Sequence, residues 1–187
     1  MPVTSLAPKT ALLVIDLQKG IASRPTVHPM GEIVKNAAAL ADAFRRKGLP
    51  VVLVNVTGGA QGRAEQQRPL GQLPADWAEL LPELRQQPSD LLVTKRTWGA
   101  FTGTALETTL RKLGVTQVVV VGVSTSAGVE STARHAHELG FNVTLATDAM
   151  TDMQLDNHTH SINRIFPRLG ETGTTREILA LLGEVGA

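Results

Sequence analysis

The sequence contains no cysteine among its 187 residues. Disulfide bonds, thiolate metal sites and thiol nucleophiles are therefore excluded. It also has no apolar run near the roughly 18 residues that would indicate a membrane-spanning helix. The first residues, Met1-Pro2-Val3-Thr4, lack the charged start and apolar stretch of a signal peptide. We therefore expect a cytoplasmic protein.

The sequence also lacks an excess of charge of either sign. Lys and Arg number 18, Asp and Glu number 17, and no basic or acidic block stands out. This balance argues against nucleic acid or an anionic membrane as the main partner and favours a small molecule. Hydrophobic residues make up 42% and charged residues 19%, as in an ordinary globular protein, so we expect one domain over residues 1–187.

Short apolar runs indicate buried parallel strands, because a strand covered by helices on both sides is apolar on both faces. A weak sixth strand is expected near Gly170–Gly173. The other five predicted strands are Ala11–Ile15, Val51–Val56, Leu91–Val93, Val118–Val121 and Asn142–Ala146.

Helical patterns separate these strands. Three predicted helices each end before a glycine, and a further helix begins at a capping-box sequence, Thr174-Thr175-Arg176-Glu177, and runs to about Leu182. The three are Glu32–Lys47, Thr104–Leu113 and Val129–Leu139. The alternation predicts an α/β protein with a three-layer α/β/α, Rossmann-like fold and a mainly parallel six-stranded sheet.

The stretch Gly58–Pro88 departs from this alternation. It is rich in Gly, Gln and Pro, and a short helix around Asp76–Leu84 is its one periodic feature. A long excursion of this kind is typically a lid, an oligomer contact or a functional flap.

Polar residues at the carboxyl ends of the strands are the candidates for chemistry, because ligands of open parallel sheets bind there. Asp16 ends the first strand, Lys95 follows the third, and Gly122–Gly128 leads from the fourth strand into a helix. Lys95 would lower the pKa of Asp16 and burial would raise it, and the sequence leaves open which effect dominates. Backbone N–H groups of the Gly122–Gly128 turn suit an anion or an oxyanion.

Each of these features has a simpler reading. An Asp at a strand end often caps a turn, and a Lys there is often solvated. The small residues of Gly122–Gly128 would also serve tight packing of the strand on the helix. The argument for a site rests on Asp16 and Lys95 projecting into one crevice.

Three motifs in order resemble the isochorismatase-like hydrolase superfamily, which includes nicotinamidases and related cysteine amidohydrolases. They are Ala11–Gln18, Lys95 with Phe101–Leu106, and Val121–Ala133, and the resemblance spans about Ala11 to Leu182. It implies a catalytic Asp at Asp16, a Lys at Lys95 and, in the amidohydrolases, a nucleophilic Cys where this chain has Gly128.

The glycine at position 128 changes the mechanism that the resemblance implies. Without a side chain there, no acyl-enzyme forms at that position. Isochorismatases also carry Gly there and cleave a vinyl ether without a covalent intermediate, so the chain resembles that subgroup. The resemblance further implies a cis peptide at Val123–Ser124. Nicotinamidases bind a metal after the second strand, but Asn55–Ala60 offers no ligand set, so we predict no metal and no cofactor.

Other side chains are candidates for the same site. Ser124 and Ser126 are expected to contact substrate and are conceivable substitute nucleophiles. Trp98 and Phe101 are expected either in the core or along an apolar pocket. The remaining predictions are surface or interface positions for His135 and His137, solvent-facing His158 and His160, and a Glu130–Arg134 pair. Arg63 and Arg68 on the flap are expected to be solvated, with contact to an anionic substrate as the alternative.

Three hypotheses follow. The first is a hydrolase of a small, anionic molecule, with Asp16 as general acid, Lys95 orienting Asp16 or holding a substrate carboxylate, and the Ser124 and Gly128 amides binding an anion. The second is a small-ligand-binding protein or pseudoenzyme with the same pocket. The third is an oligomeric scaffold, with the flap making the contacts, and a homo-oligomer (dimer or tetramer) is expected in any case.

Overall fold

A six-stranded, wholly parallel sheet forms the centre of the computed structural model, which describes residues 2–65 and 73–183. The strand order is β3-β2-β1-β4-β5-β6. This architecture confirms the predicted α/β fold. The strands are β1 (Thr10–Ile15), β2 (Val51–Val56), β3 (Leu91–Lys95), β4 (Gln117–Val123), β5 (Asn142–Thr151) and β6 (Glu171–Gly173).

Helices cover both faces of the sheet. The described helices are α1 (Lys19–Ala22), α2 (Met30–Arg46), α3 (Leu106–Lys112), α4 (Glu130–Glu138), α5 (Leu155–His160) and α6 (Thr175–Leu181). Helices α2 and α6 pack on one face, while α3 and α4 pack on the other. The predicted capping box is present at Thr174, whose hydroxyl accepts from the N–H of Glu177.

Strand β1 joins two hydrophobic cores. Its alternate residues Ala11, Leu13 and Ile15 enter the core under α3 and α4, while Leu12 and Val14 enter the core under α2. Successive side chains of a strand point to opposite faces, so one central strand contributes to both layers. The cores are therefore coupled through the sheet.

Two predicted strands differ in the structure. Strand β5 continues to Thr151 because its pairing with β4 passes through an irregularity between Val120 and Gly122. Strand β3 lies at the sheet edge and Leu92 is 59% exposed, so this strand is not buried on both faces as predicted.

The prediction of a helix at Asp76–Leu84 is wrong. The segment contains turns and a single 3₁₀ turn at Pro82–Leu84. Its backbone is already paired with the segment after β1: the N–H of Lys19 donates to Glu79 O at 2.9 Å, and that of Leu81 donates to Leu17 O at 3.0 Å. These bonds hold the chain in an extended form that a helix does not permit.

The described part of the Gly58–Pro88 flap crosses the carboxyl ends of β1 and β2. The side-chain amide of Gln18 donates to Val56 O and Trp77 O, and that of Asn55 donates to Ala78 O. Arg63 is exposed, as predicted, whereas the prediction for Arg68 lies outside the described residues. Among residues 2–65 and 73–183, no helix has the length and apolar character needed to cross a membrane.

Candidate active site

Asp16, Lys95 and the turn Ser124–Gly128 meet at the carboxyl edge of the sheet. Asp16 directly follows β1, Lys95 is the last residue of β3, and Ser124 directly follows β4. The chain leaves β1 for β2 on one side, and β4 lies on the other side of β1. Such a reversal of strand order opens a crevice in α/β sheets, and the predicted residues are brought together in it.

A buried ion pair forms the floor of the crevice. The Nζ atom of Lys95 lies 2.8 Å from Oδ2 of Asp16 and also donates to Thr97 O at 3.1 Å. Both side chains are almost fully buried. The second carboxylate oxygen of Asp16, Oδ1, is buried and has no hydrogen-bond partner among the described residues.

Burial decides the protonation of Asp16. Loss of water raises the pKa of its carboxyl group from 3.8 to about 6, although the charge and hydrogen bond of Lys95 act in the opposite direction. Desolvation therefore outweighs the ion pair, which the sequence left open. A carboxyl group with this pKa is partly protonated near neutral pH.

Gly128 lies against the Asp16 carboxylate. A Cβ atom added at position 128 would lie 3.1 Å from Oδ2 of Asp16 and 3.0 Å from Cγ2 of Ile15. Both separations are tighter than ordinary van der Waals contact, so a side chain here requires Asp16 or Ile15 to move. The absence of a side chain at position 128 thus lets the carboxylate approach the turn.

A cavity of about 180 Å³ opens above this floor. Asp16, Lys95, Ser124 and Gly128 line it, as does Trp98, which is 65% exposed at its mouth. The peptide bond Val123–Ser124 is cis, as the resemblance implied. These positions match the sequence-based prediction, whereas the roles assigned to the residues stay predictions.

Several further lining residues were missed from the sequence, and four of them carry polar, aromatic or thioether side chains. They are Arg24, Trp77, Thr97 and Met153. Trp77 belongs to the flap and donates its indole N–H to Val56 O at 3.2 Å, and the Arg24 guanidinium carbon lies 5.4 Å from the centre of its ring system. Both tryptophans of the chain therefore line the cavity. The one sequence signal for Trp77 was the presence of a large aromatic residue in an otherwise polar flap.

Two predicted substrate contacts lie elsewhere. Phe101 is buried in the core beneath α3 and α4, with its ring centre 6.0 Å from that of Phe141. Ser126 turns away from the cavity, and its hydroxyl donates to Oδ2 of Asp152 at 2.8 Å. Core packing and this hydrogen bond remove Phe101 and Ser126 from the set of cavity-lining residues.

Of the four histidines whose positions were predicted, His158 is the exception. His158 is buried, and its Nδ1 lies 2.8 Å from the hydroxyl of Thr125, so the solvent-facing prediction is wrong. Burial lowers the pKa of His158. His137 and His160 are exposed and His135 is half-buried. The pair Glu130–Arg134 forms at 2.9 Å, as its spacing predicted.

Metal ligands are not grouped in the part of the chain that the structure describes. Within those residues, no three His, Cys, Asp or Glu side chains are arranged to hold an ion. After β2, where the resemblance would have placed a metal, the Asn55 amide instead donates to Ala78 O at 2.9 Å. That no metal is required stays a prediction.

Comparison with known proteins places the sequence in a family. Residues 10–177 match the isochorismatase domain model. The isochorismatase family protein YwoC of Bacillus subtilis is 44% identical over 91% of this chain and 93% of its own. Nicotinamidase 3 of Arabidopsis thaliana is 32% identical, over 79% of this chain and 76% of its own.

A solved structure has the same fold at high similarity. The isochorismatase family protein from Burkholderia thailandensis superposes with a TM-score of 0.92 at 39% identity, covering 96% of this chain and 98% of that one. The domain match covers residues 10–177, and the α/β fold agrees with that of the solved structure. The chain belongs to the isochorismatase family and has its hydrolase fold.

Proposed function

We propose that this protein is a hydrolase of a small molecule that works without a covalent thiol intermediate, with Asp16 as general acid and a vinyl ether as substrate class. The observation that carries the proposal is the Asp16 carboxyl group, which is buried in the cavity with one oxygen unpartnered among the described residues and a pKa of about 6. A general acid works best with a pKa near the working pH.

The raised pKa gives Asp16 a usable proton. At pH 7, a group with a pKa of about 6 is protonated in about a tenth of the molecules, against fewer than about one in a thousand for an ordinary aspartate. Cleavage of a vinyl ether begins with protonation of carbon, which needs such an acid. Lys95 occupies Oδ2, whereas Oδ1 faces no protein donor among the described residues, so Oδ1 is the oxygen that would carry the proton.

The proposed steps conserve atoms and charge. Asp16 gives its proton to the terminal carbon of the carbon–carbon double bond, and the ether oxygen stabilises the resulting cation. Water adds to the cationic carbon and returns a proton to the Asp16 carboxylate. The hemiketal hydroxyl then gives up its proton and the leaving oxygen gains one as the bond between carbon and that oxygen breaks, so that ether and water become a ketone and an alcohol. Lys95 holds Oδ2 of Asp16 at 2.8 Å and thereby orients the carboxyl group throughout.

The charges of the cavity suit an anionic substrate. Arg24 and Lys95 are its lining cations, and Asp16 is the acidic residue among the described lining side chains. Lys95 is engaged with Asp16, whereas Arg24 is exposed at the mouth beside Trp77. We assign Arg24 to a substrate carboxylate, because a guanidinium matches that group with two hydrogen bonds. The Ser124 and Gly128 amides would hold a second anionic group.

The test is turnover of isochorismate by the wild type and by Asp16→Asn, measured as the rate of pyruvate formation. We expect Asp16→Asn to lower kcat by about 10²–10⁴-fold, the usual contribution of a general acid. For the wild type, kcat/KM should fall as the pH rises above about 6, because the proton is lost there. Full turnover by the Asn variant would contradict the role of Asp16.

A small-ligand-binding protein is the second candidate. Gly128 favours it, because the amidohydrolases that this chain resembles place a thiol at that position. Isochorismate, amides and ureides should be offered to the wild type and to Gly128→Cys. Turnover of an amide by the Cys variant alone, with the wild type inactive throughout, would favour the binding protein. The variant needs its crowded contact with Asp16 to relax first, so its fold is checked by circular dichroism.

A further inference from the structure

The carboxylate of Asp152 is buried and connects two loops of the candidate site. Its Oδ2 accepts hydrogen bonds from the backbone N–H and the hydroxyl of Ser126, both at 2.8 Å. Its Oδ1 accepts from the N–H groups of Met153 at 2.8 Å and Gln154 at 3.3 Å. Asp152 is 3% exposed and is not among the residues that line the cavity. It therefore acts on the walls of the site rather than on a ligand.

The loops that Asp152 joins both reach the cavity. Ser124 and Gly128 line it from the turn after β4, and Met153 lines it from the loop after β5. The two walls also touch directly, since the hydroxyl of Ser124 donates to Sδ of Met153 at 3.1 Å. A third segment is attached through the backbone: the N–H of Val27 donates to Asp152 O at 2.9 Å.

We propose that Asp152 is a positioning residue of the candidate site, whose carboxylate fixes the Ser124–Gly128 turn over Asp16 and so keeps water from that carboxyl group. The assignment rests on the function proposed above, because it concerns the same site. Its physical basis is the close approach of Gly128 to Asp16. A Cβ atom added at position 128 would lie only 3.1 Å from Oδ2 of Asp16. A turn held at this distance is part of the wall that desolvates Asp16.

The hydrogen bonds around Asp152 make Asp152→Asn an informative change. All four groups that face the carboxylate are donors, and they approach both of its oxygens. An asparagine offers one oxygen and one NH₂ group, so in either orientation an N–H group faces another N–H group. The buried donors on that side lose their acceptor, and the turn or the Met153 loop must shift.

Asp148 provides a matched control. It lies on β5, the strand that Asp152 follows, and its Oδ1 accepts from the N–H of Thr175 at 2.7 Å and from the hydroxyl of that residue at 2.9 Å. These contacts resemble those of Asp152 with Ser126, but they lie at the start of α6 and not at the cavity. Both donors approach Oδ1 alone, so an asparagine at position 148 can keep them. Asp148→Asn therefore controls for the loss of a carboxylate charge without the loss of hydrogen bonds.

The first measurement is the pKa of Asp16, monitored by carboxyl ¹³C NMR. The Asp16 resonance is assigned by its absence from Asp16→Asn. In Asp152→Asn we expect this pKa to fall towards that of an ordinary aspartate, because a loosened turn admits water. Asp148→Asn should leave it unchanged. An unchanged pKa in Asp152→Asn, or an equal shift in both variants, would overturn the proposal. This measurement needs no substrate, so it stands even if isochorismate is not turned over.

The second measurement is the split between kcat and KM with isochorismate. Asp152→Asn should lower kcat by about a hundredfold with a smaller change in KM, since displacement of a catalytic group by about 1 Å costs that much. Asp148→Asn should keep the wild-type kcat. Equal losses in the two variants would mean that Asp152 contributes to stability alone.

Ser126→Ala covers the case in which Asp152→Asn does not fold. This variant removes one donor to Oδ2 and leaves the backbone N–H of residue 126 in place. We expect a smaller downward shift of the Asp16 pKa in the same direction. If Ser126→Ala keeps both the wild-type pKa of Asp16 and the wild-type kcat, the proposal is wrong.

Discussion

The candidate site depends on one carboxyl group, that of Asp16, and on what surrounds it. Lys95 alone would make this group a stronger acid, as an ion pair normally does. Burial reverses the effect, and the pKa of Asp16 rises to about 6. The same arrangement costs stability at neutral pH, because the folded protein resists a charge that the unfolded chain accepts readily.

The dependence of stability on pH gives a test at the scale of this residue. The contribution of Asp16 is fully present below the unfolded pKa of 3.8 and is lost as the pH rises through about 6, since the folded state binds the extra proton between these values. The free energy of unfolding of the wild type, relative to Asp16→Asn, should fall by on the order of 3 kcal/mol between these limits. Urea denaturation across this range measures it, and a rising difference would contradict the raised pKa.

Arg24 supplies a second test at the residue scale. Arg24→Gln keeps a long polar side chain but removes the charge at the cavity mouth, so we expect a higher KM for a carboxylate substrate and little change in kcat. A loss of about 1.5–3 kcal/mol in binding, or roughly 10–100-fold in KM, is typical of a hydrogen bond to a charged group. Arg63→Gln, an exposed position on the flap, is the control. Equal KM values for wild type and Arg24→Gln would exclude the assignment.

Elements were predicted well from the sequence where a single regular pattern governs them. β1 and β2 are continuous apolar runs, and α2 has a clear helical period, so their bounds differ from the prediction by at most two residues. β5 was predicted to end at Ala146 because Thr147 and Asp148 interrupt its apolar run, yet it continues past an irregularity to Thr151. Asp152 was missed for this reason, since it would otherwise have stood at a strand end like Asp16.

The site was predictable to the extent that strand ends define it. Asp16, Lys95 and Ser124 follow from their positions at the ends of β1, β3 and β4. Trp77 and Arg24 did not, because their places depend on hydrogen bonds between distant segments. Sequence patterns carry local periodicity and not such pairings.

The short segment between the flap and β3 is anchored to α2 by an ion pair that can be tested at the element scale. Arg45 donates two hydrogen bonds to the Asp90 carboxylate, at 3.0 and 2.7 Å, and the Asp90 side chain is 1% exposed. Removing the cation leaves that carboxylate buried without an opposite charge, with the N–H of Gln87 as its remaining donor. We expect Arg45→Ala to lower the free energy of unfolding by about 3–5 kcal/mol.

The control for Arg45→Ala is a helix-surface pair. Arg134 and Glu130 lie at i, i+4 on α4, and the Arg134 side chain is 48% exposed. Arg134→Ala should cost less than about 1 kcal/mol, as exposed pairs do. Similar losses in the two variants, measured by urea denaturation, would show that the Arg45–Asp90 pair is no stronger than a surface pair.

The molecule as a whole is organised around β1, which belongs to both cores. One core cannot unfold without exposing the other face of the same strand. We therefore expect residues 1–187 to unfold as one cooperative unit, with equal calorimetric and van't Hoff enthalpies per cooperative unit. Two separate calorimetric transitions would contradict the single domain. The homo-oligomer stays a prediction, and native mass spectrometry measures it.

The position of Trp77 and Trp98 has a spectroscopic consequence. They are the only tryptophans of the chain, the chain has no tyrosine, and both side chains line the cavity. Nearly all of the intrinsic ultraviolet emission of the folded protein therefore originates at the candidate site. Ligand entry, protonation of Asp16 or displacement of the flap should each alter the intensity or the wavelength of this emission. The protein carries its own optical reporter, so libraries of small molecules can be screened against it without label and before any reaction is known.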